Sequence, residues 1–179
     1  MEKAVTFEFN LKGHRRTAIA ALAATLLLGK GETVNAEPQS QSWIVGTWVL
    51  TAADKLLPDG SRVADYGPNP HGLCIFTSDG HYSLQIYRAE RLKFSSGERS
   101  NGTPEEYKDV SLSMSVSFGK YSIDPVKKTI SFHRDRSSVP NLDDTTGVDP
   151  YELNGDELSW KVDARKDGSI PITVLRRAK

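Results

Sequence analysis

The sequence predicts an all-β fold: about eight antiparallel strands closed into a barrel, with one short helix near residues 103–113. Three observations predict it. Most of the chain alternates short runs rich in Val, Ile, Thr, Tyr, Phe and Trp with clusters of Gly, Pro, Asn and Asp. Two turn signals, Ser78-Asp79-Gly80 and Asn154-Gly155-Asp156, sit between such runs at hairpin spacing. Only one segment carries a helix-start signal.

The first strand is expected over residues 43–51. Pro58-Asp59-Gly60 is a turn, and Tyr66-Gly67-Pro68-Asn69-Pro70 is a loop whose prolines cannot donate to a ladder. Residues 72–77 and 81–88 form the clearest hairpin around Asp79-Gly80, where glycine tolerates the positive φ of a tight turn. A Gly- and Ser-rich crossing over 95–102 leads to the helix. Thr103 caps it, Pro104 fits the first turn because its missing N–H has no helical partner to lose, and Glu106 reaches back to complete a capping box. Tyr107, Val110 and Met114 would form its apolar side. Strands over 116–123 and 128–136 flank a turn at 124–127, and a long loop spans 137–147. Strands over 148–153 and 157–162 close on Asn154-Gly155-Asp156, and the last strand covers 170–176. Sequential antiparallel strands imply a barrel or a two-sheet sandwich; closure is favoured because it leaves no unpaired edge.

Composition bounds the function. The 179 residues suit one domain, and 23 basic against 23 acidic side chains leave no net charge, which argues against a nucleic-acid partner. A lone cysteine, Cys74, excludes an internal disulfide and any multi-cysteine metal site. Its apolar neighbours Leu73, Ile75 and Phe76 mark it as a packing residue. No nucleophile elbow, phosphate loop, dinucleotide fingerprint or His-x-x-x-His occurs, so no catalytic residue, cofactor or metal is expected. Asp143, Asp144 and Asp149 cluster in sequence, but their spacing fails the calcium-loop pattern and reads as a solvated loop.

Residues 1–36 differ from the rest. Lys12, His14, Arg15 and Arg16 precede a 13-residue apolar stretch at 17–29, and Val34-Asn35-Ala36 supplies small residues for cleavage. This is the pattern of a signal peptide cleaved near Ala36, leaving a barrel domain over 37–179 that is periplasmic or secreted. The stretch is shorter than the ~20 residues a spanning helix needs, so no permanent membrane anchor is expected. The alternative is a short apolar helix retained in the mature protein.

Gly46-Thr47-Trp48, near the start of the first strand, resembles the Gly-x-Trp signature of the lipocalins. Asn69-Pro70-His71-Gly72, Asp79-Gly80-His81-Tyr82-Ser83-Leu84-Gln85, Gly102-Thr103-Pro104-Glu105-Glu106-Tyr107, Phe118-Gly119-Lys120-Tyr121-Ser122 and Asn154-Gly155-Asp156-Glu157-Leu158 follow in the order seen in the bacterial lipocalin-like domain family. The resemblance spans essentially all of the mature chain. It implies an eight-stranded up-and-down barrel around an apolar cavity, with Gly46 and Trp48 at one barrel end beneath an arginine of the last strand. Arg176 and Arg177 both stand where that arginine belongs. It implies no reaction.

Alternation puts Tyr82, Leu84, Ile86 and Arg88 on one face of a strand, and Ile130, Phe132, Arg134 and Arg136 on one face of another. With the apolar side inward, Arg88 and Arg134 reach the lumen near a mouth, where two guanidiniums favour an anionic ligand head. The rival reading is that they snorkel outward or pair with Asp135, Asp109 or Glu90. The resemblance adds Ser83, Gln85 and His133 as candidates for a polar pocket if the other face points inward, where His133 and Asp135, two residues apart on one face, could form an oriented base. The expected partner is therefore a small hydrophobic or amphipathic molecule. The alternatives are an isomerase or cyclase using the same cavity, with His133 or Tyr121 moving a proton, and an inhibitor acting through the loops at 56–70 and 137–147.

Overall fold

The computed structural model describes residues 42–179; the expected leader and its cleavage site lie outside them. Nine strands follow one another: β1 (Gly46–Leu56), β2 (Arg62–Ala64), β3 (His71–Phe76), β4 (His81–Tyr87), β5 (Met114–Asp124), β6 (Thr129–Ser137), β7 (Thr145–Asn154), β8 (Glu157–Lys161) and β9 (Ile170–Arg177). From β3 to β9 each pairs antiparallel with the next, and β1 pairs with both β3 and β9. The result is a closed eight-stranded up-and-down barrel. β2 stands outside the count: it pairs only with Asp54–Leu56 of β1, on the edge whose first half, Gly46–Val49, is taken by β3.

Closure runs from Trp48 opposite Arg177 to Leu56 opposite Ile170, with a bulge between Leu50 and Ala52. That bulge bends β1 and lets one strand serve two neighbours on its far edge. β1 consequently runs five residues past its expected end, while Trp43 and Ile44 lie in the turn before it. The expected long loop after β6 is shorter than its sequence suggests: a 3₁₀ turn at Pro140–Leu142 is followed directly by β7, which starts at Thr145.

The only α-helix among the described residues, α1 (Pro104–Leu112), starts on the expected capping box, with Glu106 N–H donating to Thr103 and Thr103 N–H donating to the Glu106 carboxylate at 2.8 Å. Its expected apolar side does not form as a unit, because the helix ends at Leu112 and Met114 already opens β5. Tyr107 is exposed, and Glu106 is the helix's buried residue. Polar ties hold the helix instead: Ser95 N–H donates to Glu106 at 2.7 Å, Leu92 N–H to Asp109 at 2.9 Å, and Arg88 pairs with Asp109 at 3.1 Å. The helix lies in the β4–β5 connection at the barrel rim, and its apolar contact is with Phe94 of the preceding crossing, whose ring lies 5.6 Å from that of Tyr107. No helix among the described residues is long and apolar enough to cross a membrane.

The up-and-down order sorts the connections by barrel end. Turns 77–80, 125–128 and 155–156 lie at the end where β1 begins; connections 57–70, 88–113, 138–144 and 162–169 lie at the other. Alternation sends Trp48, Leu50, Cys74, Phe76, Tyr82, Ile86, Tyr121, Ile130, Phe132, Leu158, Trp160 and Leu175 inward, all buried in one continuous core.

Candidate functional site: a cavity in the barrel lumen

One end of the lumen is sealed. Trp48, fully buried, donates its indole N–H to the Ile44 carbonyl at 2.7 Å. The Arg177 guanidinium lies 4.2 Å above that indole and donates to the carbonyls of Val45, at 3.1 Å, and Trp43. Gly46 has φ 127°, and a Cβ there would stand 3.4 Å from the guanidinium, so this position suits glycine alone. The choice the sequence left open is settled by parity: Arg177 faces inward and Arg176 outward, exposed and 3.6 Å from Glu157. Phe76 and Tyr121 pack edge-to-face above this seal at 4.9 Å.

Above the seal the lumen opens into a cavity of about 560 Å³, within the range of ordinary small-molecule sites. Its floor is aromatic. Phe132 stands between Tyr82 (centroids 4.9 Å apart) and Trp160 (5.3 Å), and the Tyr82 hydroxyl donates to Ser117 at 3.3 Å. Leu84, Ile86 and Ile172 add apolar wall, and Ser115, Ser117 and Thr173 add hydroxyls. The mouth is bordered by Tyr66 from the connection after β2, Val139 and Leu142 from the β6–β7 turn, and the stretch from Val162 to Arg165. Asp65 ties two of these loops together, accepting from Arg165 at 2.6 and 3.2 Å and pairing with Lys55 at 3.2 Å. The Arg165 bonds hold the Asp65 carboxyl below its ordinary range although burial opposes them.

Two ionisable groups within the cavity wall have no partner among the described residues. Arg134, on β6, extends over Gly147 of β7. A Cβ on Gly147 would lie 2.9 and 3.1 Å from the two terminal nitrogens, so the bare glycine is what makes room for the guanidinium. Among the described residues nothing hydrogen-bonds or ion-pairs with that guanidinium. Two residues along the same face of β7 stands Asp149, opposite Ile130 and 2% exposed. No described donor reaches its carboxyl, and the residue borders the cavity. Burial pushes its pKa up to about 6, against the pull of Arg134 and with a push from Asp163 at the mouth.

The candidates read from the sequence separate accordingly. Tyr82, Phe132 and Arg134 line the cavity. Arg88 does not: β4 ends at Tyr87, the chain turns toward α1, and Asp109 holds the guanidinium there. Gln85 faces away from the lumen, because the inward residues of β4 are Tyr82, Leu84 and Ile86. His133 is on the outer face by the same parity, exposed, with Nδ1 3.0 Å from the Thr146 hydroxyl and Nε2 3.7 Å from Asp135. Tyr121 points inward but below the cavity, its hydroxyl donating to the Thr77 carbonyl at 2.9 Å. Neither His133 nor Tyr121 borders the cavity. Cys74 is fully buried, and burial pushes its thiol pKa up, as for an inert packing residue.

Asp149 was hidden by its neighbours. Read with Asp143 and Asp144 it suggests a polar loop, yet Asp143 accepts from Ser137 N–H at 2.8 Å and Asp144 pairs with Arg136 at 3.2 Å, both at the rim. No three metal-ligating side chains gather among the described residues. The available signal was the spacing Thr145, Gly147, Asp149, Tyr151, which places Asp149 on the inward face once β7 is extended to Thr145.

A closed barrel sealed by an indole under a guanidinium, with an aromatic-floored cavity open at the other end, is a small-molecule-binding architecture. The chain belongs to the lipocalin-like domain family, whose model matches residues 45–178. No curated protein matches it. A solved structure of a redesigned β-barrel is similar at 16% identity over 77% of this chain and 94% of that one, with a TM-score of 0.38.

Proposed function

We propose that the protein is an exported carrier whose lumen binds a small, mostly apolar molecule by an anionic head. The observation that carries this reading is the Arg134 guanidinium, without a partner among the described residues, at the wall of an otherwise largely apolar cavity. An apolar tail fits over Phe132 and Trp160, where each buried methylene contributes ~0.8 kcal/mol. A carboxylate at Arg134 accepts charge-assisted hydrogen bonds of about 1.5–3 kcal/mol each. Export is supported by the basic, apolar and small-residue order of residues 1–36.

The test is a titration with sodium dodecanoate, followed through the fluorescence of Trp160, which borders the cavity. Arg134→Leu is expected to weaken binding at least tenfold, since losing one charged hydrogen bond is worth more than ~1.4 kcal/mol. Unchanged affinity overturns the anionic-head reading. Export is tested separately: N-terminal sequencing of the protein from the cell envelope is expected to begin at Glu37, and an intact Met1 there contradicts it.

A further inference from the structure

Asp149 is 2% exposed, borders the cavity, and has no hydrogen-bond donor in reach among the described residues. An Asp buried this deeply is ordinarily paired. The nearest candidate is Arg134, yet the two form no ion pair: the guanidinium lies over Gly147, which separates them along β7. The arrangement leaves a fork of donors and a carboxyl side by side, both facing the same space.

We infer that Asp149 is the second polar anchor of the ligand head. It enters the complex as a neutral carboxylic acid and donates its O–H to the same anion that Arg134 binds, so each anion bound takes up one proton from solvent. The inference rests on Arg134 as the anion anchor and adds the class of head selected: one with at least two acceptor oxygens, a carboxylate or sulfonate. The reason is electrostatic. An ionised Asp149 and an anionic head would set two negative charges against one guanidinium beside a carboxyl that is 2% exposed, whereas a protonated Asp149 turns a repulsion into a hydrogen bond.

The other charged groups around the cavity do not supply this proton. Asp163, at the exposed mouth, adds to the repulsion felt by Asp149. Asp65 is held ionised by Arg165 and Lys55, and Asp54 accepts from Arg62 at 2.7 Å. Tyr82 donates to Ser117 and burial pushes its pKa up, away from neutrality. None of the described histidines, His71, His81 and His133, borders the cavity. With Asp149 poised at about 6 in the empty barrel, affinity falls as pH rises through and above that value, by about 50-fold from pH 6 to pH 8 for one linked proton.

The experiment is calorimetric titration of the purified full chain with sodium 1-decanesulfonate, which stays ionised throughout, at pH 6, 7 and 8. Each pH is run in two buffers of different ionisation enthalpy, so that protons are counted directly. Wild type is expected to take up about half a proton per sulfonate at pH 6 and close to one at pH 7 and 8, and to lose affinity along the slope given. Asp149→Asn, whose amide N–H donates in place of the acid, is expected to take up none and to hold its affinity across the range. A wild-type affinity that is flat from pH 6 to 8 with no proton uptake overturns the inference, whether or not the variant folds. If Arg134→Leu still weakens binding in that case, the anion-anchor reading stands and only the role of Asp149 falls. Sulfonate binding that ignores Arg134, or no binding at any pH, overturns both.

Discussion

Replacing Arg177 by methionine keeps an apolar chain over the Trp48 indole and removes the charged head. Three contacts go with it: the cation–π stack at 4.2 Å and the two hydrogen bonds to the carbonyls of Val45 and Trp43. The stack is worth about 0.5–2 kcal/mol and each bond from a charged donor about 1 kcal/mol or more. The sum is about 2.5–4 kcal/mol. Arg176 is the internal control: one residue away, exposed and 3.6 Å from Glu157, its replacement by methionine is expected to cost less than ~0.5 kcal/mol. Urea unfolding followed by tryptophan fluorescence reads both. At an m-value of ~2 kcal/mol/M the Arg177 variant loses about 1–2 M from its midpoint while the Arg176 variant barely moves. Equal midpoints for the two variants would refute the account of the sealed end.

Asp149→Asn is expected to stabilise the empty protein above pH 6 by about 2–3 kcal/mol and not at pH 4. The folded pKa, about 6, is raised above the unfolded one, so wild-type stability is highest below pH 4 with respect to this group and is lost as pH rises to 6; urea midpoints at pH 4 and 7.5 check it. Phe132→Ala removes the ring between Tyr82 and Trp160 and should cost about 3–5 kcal/mol in the same assay. Thr103→Ala removes the helix cap and should raise amide exchange over Pro104–Leu112, for a local loss of about 1 kcal/mol, with little change in the global midpoint. Gly147→Ala pushes a methyl into the space of the Arg134 guanidinium and should weaken dodecanoate binding several-fold while leaving the unfolding midpoint nearly unchanged, since the guanidinium can swing away.

The barrel was legible because its signals are local. Asp79-Gly80 and Asn154-Gly155 turn where they should, and Thr103, Pro104 and Glu106 start the helix by hydrogen bonds within four residues. Parity then placed Tyr82, Phe132 and Arg134 inward. The misplacements are tertiary. Arg88 has the inward parity of Ile86, but parity ends with the strand, and Asp109, 21 residues on, decides where its guanidinium goes. Tyr107, Val110 and Met114 have helical spacing, yet the helix stops at Leu112, Met114 opens β5, and Tyr107 meets Phe94 of the crossing rather than the barrel. His133 and Asp135 do meet, and in the sequence they look the same whether they face water or lumen. β2 pairs with three residues of β1 that no alternation marks, because its own residues are all exposed. Asp149 shows the reverse case: a charge in the sequence of a polar turn that the register of β7 carries into the core.

The central claim is that the space above Phe132 holds a small molecule with its head at Arg134. A crystal structure of the protein with dodecanoate tests it most directly. The account predicts a chain lying over Phe132 and Trp160 with its carboxylate between Arg134 and Asp149. Dodecanoate bound only outside the barrel, with the lumen filled by water or by its own side chains, would contradict it.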